Sequence, residues 1–401
     1  MKGYILTFLF VLCFFSQLSW AEKYKFNIYH DSDYSTHFSS ANAMKMGFLS
    51  ALETERERLQ NFDFEFMELD HRGNSNRSLL HMKKFLKDPN ALFMLGGLHS
   101  PPYIKNRTYI NKEGILLLVP WAAGGPITRY EHGTNWVFRL SIDDTKAGYR
   151  IIQFANDIMA CSNPHLLLED TPWGKSNERT MKDALGKTIP EISWFSWNTR
   201  LKQAKLQIRG ILEANADCVI FVGNSVEGKY FIQAMSEIDE SLQKPIISHW
   251  GITGGDFYEN ARHFLNNISL HFIQSCFSFT HSSSSKVAKK AIKSANRLFK
   301  TEFNLATLQA PAGFIHGYDL GLLFAQAMTQ IKMDREIKIV RSRLRDALEN
   351  IELPIEGLIK VYSRPFKREG LDAHEALGLS DFCMATYKNN GAIEIILNEG
   401  V

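Results

Sequence analysis

The chain has 401 residues, of which 45% are hydrophobic and 22% charged. That is the composition of a folded globular protein too long for one small core, so two domains are expected. Its 46 Lys and Arg nearly cancel 43 Asp and Glu, for a formal charge of +3. This excludes the strongly basic field on which nucleic-acid binding rests.

Residues 1–21 read as a secretory signal peptide. Met1-Lys2 supply a positive start, Tyr4 to Phe15 is almost purely apolar, and Ser19-Trp20-Ala21 offers a small-x-small cleavage site after Ala21. The apolar core is too short for a membrane anchor. Cys13 follows Leu12, not a small residue, so lipidation is not expected. Cleavage also removes Lys2, leaving +3 − 1 = +2. The expectation is an exported, periplasmic, soluble protein. Four cysteines remain, Cys161, Cys218, Cys276 and Cys383, without CxxC or metal-ligand spacing. Cys218 and Cys276 sit in apolar strand-like runs and read as buried thiols, with a disulfide the alternative in an oxidising compartment.

From Tyr24 the pattern alternates strands and helices. Strands are predicted at 25–29, 62–69, 91–95, 115–119 and 136–140, with helices after Ser39 or Ser40, at 79–86, at 103–112 and at 145–159. His30 to His37 reads as a polar, solvated loop. The rhythm restarts with strands at 165–168, 192–197, 218–222, 245–248 and 269–277, with helices at 177–185, 202–213 and 226–238 between them. Long amphipathic helices follow at 286–299 and 313–331, a shorter one near 342–348, and final strands at 358–363 and 383–388. Ser282 to Ser285 is a low-complexity tract. Two sets of strand–helix units with branched apolar strands predict an α/β protein with two parallel sheets, each covered on both faces.

The chemistry is sparse. There is no Walker A motif, no GxGxxG after the first strand, no HExxH and no GxSxG. His30, Asp31 and Asp33 suggest a metal by proximity, but a solvated capping loop explains them more simply. Ser100 beside His99 lacks a third orienting acid for nucleophilic catalysis. The expectation is therefore a binding protein and not an enzyme, with no cofactor and no metal.

The residues just past the strands point to binding. Residues 91–95 end at Gly96-Gly97 and His99-Ser100-Pro101-Pro102, and residues 115–119 end at Pro120-Trp121-Ala122-Ala123-Gly124-Gly125. Small and turn-forming residues there leave a crevice at the carboxyl ends of the strands, where open α/β sheets bind ligands. Ser100 precedes a helix and can either cap it or face an anion at its positive end. Ala122 and Ala123 let backbone N–H groups approach a ligand or simply fit a turn. Tyr34 and Ser35 after the first strand either line the same crevice or belong to the solvated loop. Trp121, Trp173 and Trp250 each fall just past a strand end, as do Asn224 and His249. The aromatic residues read as core or as a surface closing over a ligand.

Taken together, several segments resemble the type I periplasmic solute-binding proteins of ABC transporters, the branch related to the leucine/isoleucine/valine-binding protein. They are Met67 to Asp70, Leu95 to Ser100, Gly114 to Pro120, Trp136 to Arg139 with Asp143-Asp144, Glu169 to Gly174, Ala216 to Ile220 and Gly317 to Leu320. The resemblance implies two Rossmann-like lobes joined by three crossover strands. The first lobe takes residues 22–143 and 275–352, and the second 144–274 and 353–401. It also implies a solute held between closing lobes and delivered, by a monomer, to an inner-membrane permease.

By position, Ser100, Ala122 and Ala123 would hold a carboxylate, and Trp173 would pack on the solute. Asn224, His249 and Trp250 complete the second half of the site. Amino-acid binders of this kind place an acid where this chain has His249-Trp250. Its absence predicts an aromatic or apolar acid over a zwitterion, unless Asp256 or Glu227 substitutes. A ligand-sensing domain serving a signalling partner is the alternative, and an exported hydrolase a third.

Overall fold

A computed structural model describes residues 23–282, 284–300, 303–305 and 308–396. The expected signal peptide and Ser283 of the serine tract lie outside the described residues. The first sheet is built from β1 (Tyr24–Ser32), β2 (Phe62–Asp70), β3 (Ala91–Gly96), β4 (Leu117–Val119) and β5 (Val137–Arg139). The helices α1 (Phe38–Thr54), α2 (Ser75–Lys87) and α3 (Pro101–Lys112) alternate with these strands. The spatial order is β2-β1-β3-β4-β5 and every pairing is parallel. Strand β3 is buried along its whole length, as its unbroken apolar run requires of a strand covered on both faces.

The chain then crosses into α4 (Asp144–Asp157) and a second set of units. These are β6 (Pro164–Glu169), α5 (Pro172–Leu185), β7 (Glu191–Phe195), α6 (Leu201–Glu213), β8 (Cys218–Val222), α7 (Ser225–Ser236), β9 (Ile246–Ser248), α8 (Phe257–Leu265) and β10 (Leu270–Ser275). It returns through α9 (Phe279–Ser282), α10 (Lys286–Phe299), α11 (Pro311–Gln330) and α12 (Ile337–Glu349). A two-stranded ribbon, β11 (Ile355–Glu356) and β12 (Val361–Tyr362), precedes β13 (Phe382–Tyr387) and β14 (Ile393–Ile396). The second sheet runs β14-β13-β10-β9-β8-β6-β7, parallel from β7 to β10 and antiparallel thereafter. This is the expected pair of parallel-sheet lobes, with β14 an addition that the sequence pattern did not show.

Helices α1 and α11 cross so closely that glycine is required. A Cβ on Gly47 would sit 2.1 Å from the Phe314 carbonyl oxygen, and one on Gly317 would sit 2.5 Å from that of Met44. Further along α11, the buried Asp319 carboxylate accepts the N–H groups of Leu358 (2.6 Å) and Ile359 (3.0 Å) and the Tyr362 hydroxyl (2.7 Å). Burial still pushes Asp319 up to about 6. The ribbon is thereby pinned to α11.

A single buried cation joins the crossing segments. Arg139, at the end of β5, is fully buried. Its guanidinium donates to Asp143 Oδ1 (2.8 Å), to Glu375 (Nη2–Oε1 2.6 Å, Nε–Oε2 2.9 Å) and to the carbonyl oxygens of Ala122 and Gly124. Its backbone pairs with the 374–376 segment through His374 O and Ala376 N. Burial alone would raise the Asp143 carboxyl, yet the Arg139 and Arg129 charges hold it well below the usual carboxylate range. Asp143 also caps α4 by accepting the Thr145 N–H.

Three local expectations change. Helix α1 starts at Phe38 behind His37, with no side-chain cap, so neither Ser39 nor Ser40 is the cap. The Ser40 hydroxyl instead accepts the Gly255 N–H (2.8 Å) of the other lobe. The solvated loop is not solvated: β1 extends to Ser32, and His30, Asp31 and Asp33 are buried because β1 lies between β2 and β3. The thiols expected at Cys218 and Cys276 are disulfides, Cys161–Cys218 (Cα–Cα 5.9 Å) and Cys276–Cys383 (Cα–Cα 5.0 Å). Strand pairing brings the partners together across 57 and 107 residues of chain.

Removing Arg139 takes from buried Glu375 its closest cation and leaves Asp143 to Arg129 and Lys146. Arg139→Met should cost about 3–5 kcal/mol, read from urea unfolding of the variant against the parent; a change within error would show that the network is not needed for the fold. Reducing the disulfides should lower stability by about 2–4 kcal/mol per bond, read the same way in the presence of a thiol reductant.

Candidate functional site

The carboxyl ends of the two sheets face each other across a cleft. On the first-lobe side, Tyr103 ties β1 to β3 by donating to Asp31 O (2.5 Å) and accepting the Gly97 N–H (2.6 Å). Ser100 stands at the N-cap of α3 without capping it, because its backbone is already helical and Pro102 at N2 has no N–H to offer. Its oxygen accepts the Gly124 N–H (3.0 Å) from the loop after β4. The hydroxyl proton therefore remains to donate into the cleft, beside the positive end of α3.

The two alanines separate. Ala123 lines the cleft. Ala122 donates its N–H to Gly97 O (3.2 Å) and packs in the core under β4, so it offers no free backbone donor. Tyr34 and Ser35 also leave the cleft lining: the Tyr34 hydroxyl bonds His30 Nδ1 (2.6 Å), and exposed Ser35 donates to Asp70 (2.5 Å).

On the second-lobe side, Trp173 is the second residue of α5, behind Pro172 at N1 and the capping hydroxyl of Thr171. Its indole N–H donates to Asp144 Oδ1 (3.2 Å), an oxygen that also lies 3.0 Å from His249 Nε2 without hydrogen-bond geometry. Trp173 and His249 meet edge to face at 5.1 Å. His249 is thus fully buried behind Trp173, while Trp250 comes forward. It stacks on Trp121 of the first lobe at 4.9 Å and 28°, and also lies against His316 at 4.8 Å. This indole pair shuts the cleft, and the space left beside Ser100 is about 10 Å³, about what one water needs.

Glu169, the last residue of β6, stands out in the sequence only as part of a segment of resemblance, yet it is the carboxyl that lines the cleft. Asn224 Nδ2 donates to its Oε2 (3.2 Å) and the Thr171 hydroxyl to its Oε1 (3.0 Å). Both Glu169 and Asn224 stand where the second sheet reverses its order, between β6 and β8. Burial pushes the Glu169 carboxyl up to about 7, and the Glu227 charge adds to the rise. The two acids expected as substitutes lie elsewhere. Glu227 accepts the Asn198 N–H (2.9 Å), and Asp256 belongs to a separate cavity beside α8. Among the described residues, no Lys or Arg lines the cleft. A carboxyl therefore lines the cleft at the end of β6, and none does so at the end of β9 among the described residues. The only sequence signal for it is an acidic residue closing an apolar strand.

The chain can now be set beside known proteins. No protein-family model matches it, and no curated protein matches it in sequence. Solved structures do match in shape. The leucine-binding protein LivK of Thermotoga maritima superposes with a TM-score of 0.72 at 13% identity, over 93% of this chain and 98% of that one. The fold is that of the type I periplasmic binding proteins. The branched-chain amino acid binding protein LivJ of Streptococcus pneumoniae, in complex with isoleucine, gives 0.72 at 16% identity, over 93% of this chain and 99% of that one. A solute-binding protein of an ABC transporter from R. palustris, in complex with 4-hydroxybenzoate, gives 0.75 at 12% identity, over 93% and 96%.

The Glu169 environment sets a pH dependence. Its folded value of about 7 lies above the ordinary 4.5, so between those values the folded chain keeps a proton that the unfolded chain has lost. Stability conferred on the protonated form is lost as pH rises through that window. Glu169→Gln should abolish this slope. The parent-minus-variant difference in unfolding free energy should change by about 3 kcal/mol between about pH 4 and pH 8. A difference flat with pH would show that Glu169 ionises freely.

Proposed function

We propose that this chain is the solute-binding component of an ABC importer. It is exported to the periplasm as a monomer, captures a small carboxylate-bearing solute between its lobes, and presents it to an inner-membrane permease without chemical change. The observation that carries this reading is the opposition across one cleft of a donor end and an acceptor end. The donor end is the Ser100 hydroxyl at the start of α3, and the acceptor end is the Glu169 carboxyl at the end of β6. Both sit at strand ends of a fold whose solved examples include complexes with isoleucine and 4-hydroxybenzoate. No helix among the described residues is long and apolar enough to cross a membrane.

The solute carboxylate goes to Ser100 and the α3 N-terminus. Trp121, Trp173 and Trp250 supply apolar walls for its body. Glu169 selects a hydrogen-bond donor at the far end, which an amino acid's ammonium or a phenol hydroxyl satisfies and a bare benzene ring does not. This replaces the expectation that a zwitterion would find no acid partner. Entry requires Trp121 and Trp250 to part, so the solute must bind the resealed form by more than that stacking contact contributes.

Calorimetric titration with L-leucine, L-phenylalanine, 4-hydroxybenzoate and benzoate tests the reading. At least one ligand bearing a donor should bind about tenfold or more tightly than benzoate. Ser100→Ala should weaken that ligand by about 1–3 kcal/mol, and Trp173→Ala by more, with the circular dichroism of the second lobe intact. Binding that Ser100→Ala leaves unchanged, or that shows no preference over benzoate, would remove Ser100 or Glu169 from the site.

A further inference from the structure

The buried β1 loop holds a feature that solute binding does not use. Asp33 Oδ2 lies 3.1 Å from His37 Nδ1 and 3.0 Å from His99 Nε2. The three ligand-type atoms are all within 4.8 Å of one another, and each residue is at most 5% exposed. The arrangement is rigidly supported. Asp33 Oδ1 accepts the N–H groups of Ser35 (3.2 Å) and Thr36 (2.8 Å) and the Thr36 hydroxyl (3.1 Å), which aims Oδ2 at the two imidazoles. The His37 and His99 rings meet nearly at right angles at 4.8 Å, and Trp197 of the second lobe covers His99 at 5.1 Å.

Asp33 and His37 follow β1, and His99 follows β3. These are the neighbouring strands at which the first sheet reverses its order, the place where open α/β sheets hold ligands. Two further ring nitrogens there are buried without a partner. His37 Nε2 is one, and His71 Nε2 is the other, on a ring 6.0 Å from His99 whose Nδ1 accepts the Gly73 N–H. Unpaired buried polar atoms of this kind are rare and call for an explanation.

We propose that Asp33, His37 and His99 form a binding site for a divalent cation of zinc type. Zinc takes imidazole nitrogen and carboxylate oxygen at about 2.0–2.2 Å in tetrahedral geometry, which sets neighbouring ligand atoms about 3.3–3.5 Å apart. The Asp33–His distances need only a few tenths of an ångström of expansion. No net proton is released when the imidazoles are neutral. The proton that His37 carries on Nδ1 toward Asp33 moves to the unpaired Nε2, and His99 shifts its proton from Nε2 to Nδ1, freeing one lone pair on each ring. One carboxylate and two neutral imidazoles offset part of the dication's charge, and the donor set favours zinc over the all-oxygen preference of calcium and magnesium. Three protein ligands leave a fourth position for water. His99 also borders the solute cleft, so the cation would lie one residue from Ser100. The site does not depend on the solute assignment, because the probe is the metal alone.

The test uses the mature full chain, stripped with a chelator and titrated with Zn²⁺ by calorimetry, with Co²⁺ as a spectroscopic probe. The expected result is a single equivalent of Zn²⁺ that an excess of Mg²⁺ or Ca²⁺ does not displace. Visible Co²⁺ absorption of a tetrahedral site should appear with it. His37→Gln and His99→Gln should each weaken Zn²⁺ by about tenfold or more, while His132→Gln, an exposed histidine away from the cluster, should not. Absence of binding, or binding that His37→Gln and His99→Gln leave intact, overturns the proposal. If either variant loses its folded circular dichroism, the parent's Co²⁺ spectrum decides: an octahedral, hexaaqua-like spectrum overturns it.

Discussion

The two lobes and the cleft between them depend on the charge balance around Arg139. A guanidinium removed from water is tolerated only if its donors are met, and here the partners come from three separate stretches of chain. Asp143 lies on the first crossing, Glu375 on the segment leading to the last, and the carbonyls of Ala122 and Gly124 on the loop that forms the cleft wall. The same cation therefore sets where the chain leaves the first lobe and how the loop after β4 turns. Ser100 is placed in turn, because Gly124 of that loop donates to its hydroxyl oxygen.

Charge is arranged differently inside the cleft. No guanidinium or ammonium lines it among the described residues, and its one acid is held partly protonated by burial. Its first-lobe wall presents a helix N-terminus and a hydroxyl instead of a fixed cation, so a carboxylate there, as proposed, would be met by hydrogen bonds in a dry space. The Trp121–Trp250 stack supplies that dryness and also couples the lobes, since each indole belongs to a different one. Asp144 has two roles as well: it begins α4 at the crossing and accepts the Trp173 indole N–H. The crossing between the lobes and the cleft wall thus share residues.

Legibility tracks the range of the interactions. The strand–helix alternation is plain because buried parallel strands need unbroken apolar runs, and β3, β6 and β8 are buried at every position. Ser100, Ala123, Trp173, Asn224 and Trp250 are legible because strand ends can be read locally, and the fold brings them to one cleft. Ala122 satisfies the same local rule, but neighbouring residues of the turn face different ways, and it faces the core. Tyr34 and Ser35 fall outside the cleft because β1 runs further than its apolar residues suggest. Its polar end, His30 to Ser32, is buried by strands distant in sequence, and within it Asp31 is satisfied by Ser78, His81 and Tyr103.

Sequence by itself determined the class: two α/β units, strand ends poor in catalytic groups, and a resemblance to solute-binding proteins that the fold bears out. These follow from periodicity and turn chemistry, which act over a few residues. Tertiary structure alone decided the rest. It set which cysteines pair, which alanine faces the cleft, that the Glu169 carboxyl lines it, and that Asp33, His37 and His99 meet. Each of these depends on how segments remote in sequence are aligned, as far as 107 residues apart for Cys276 and Cys383, and no local pattern encodes that alignment.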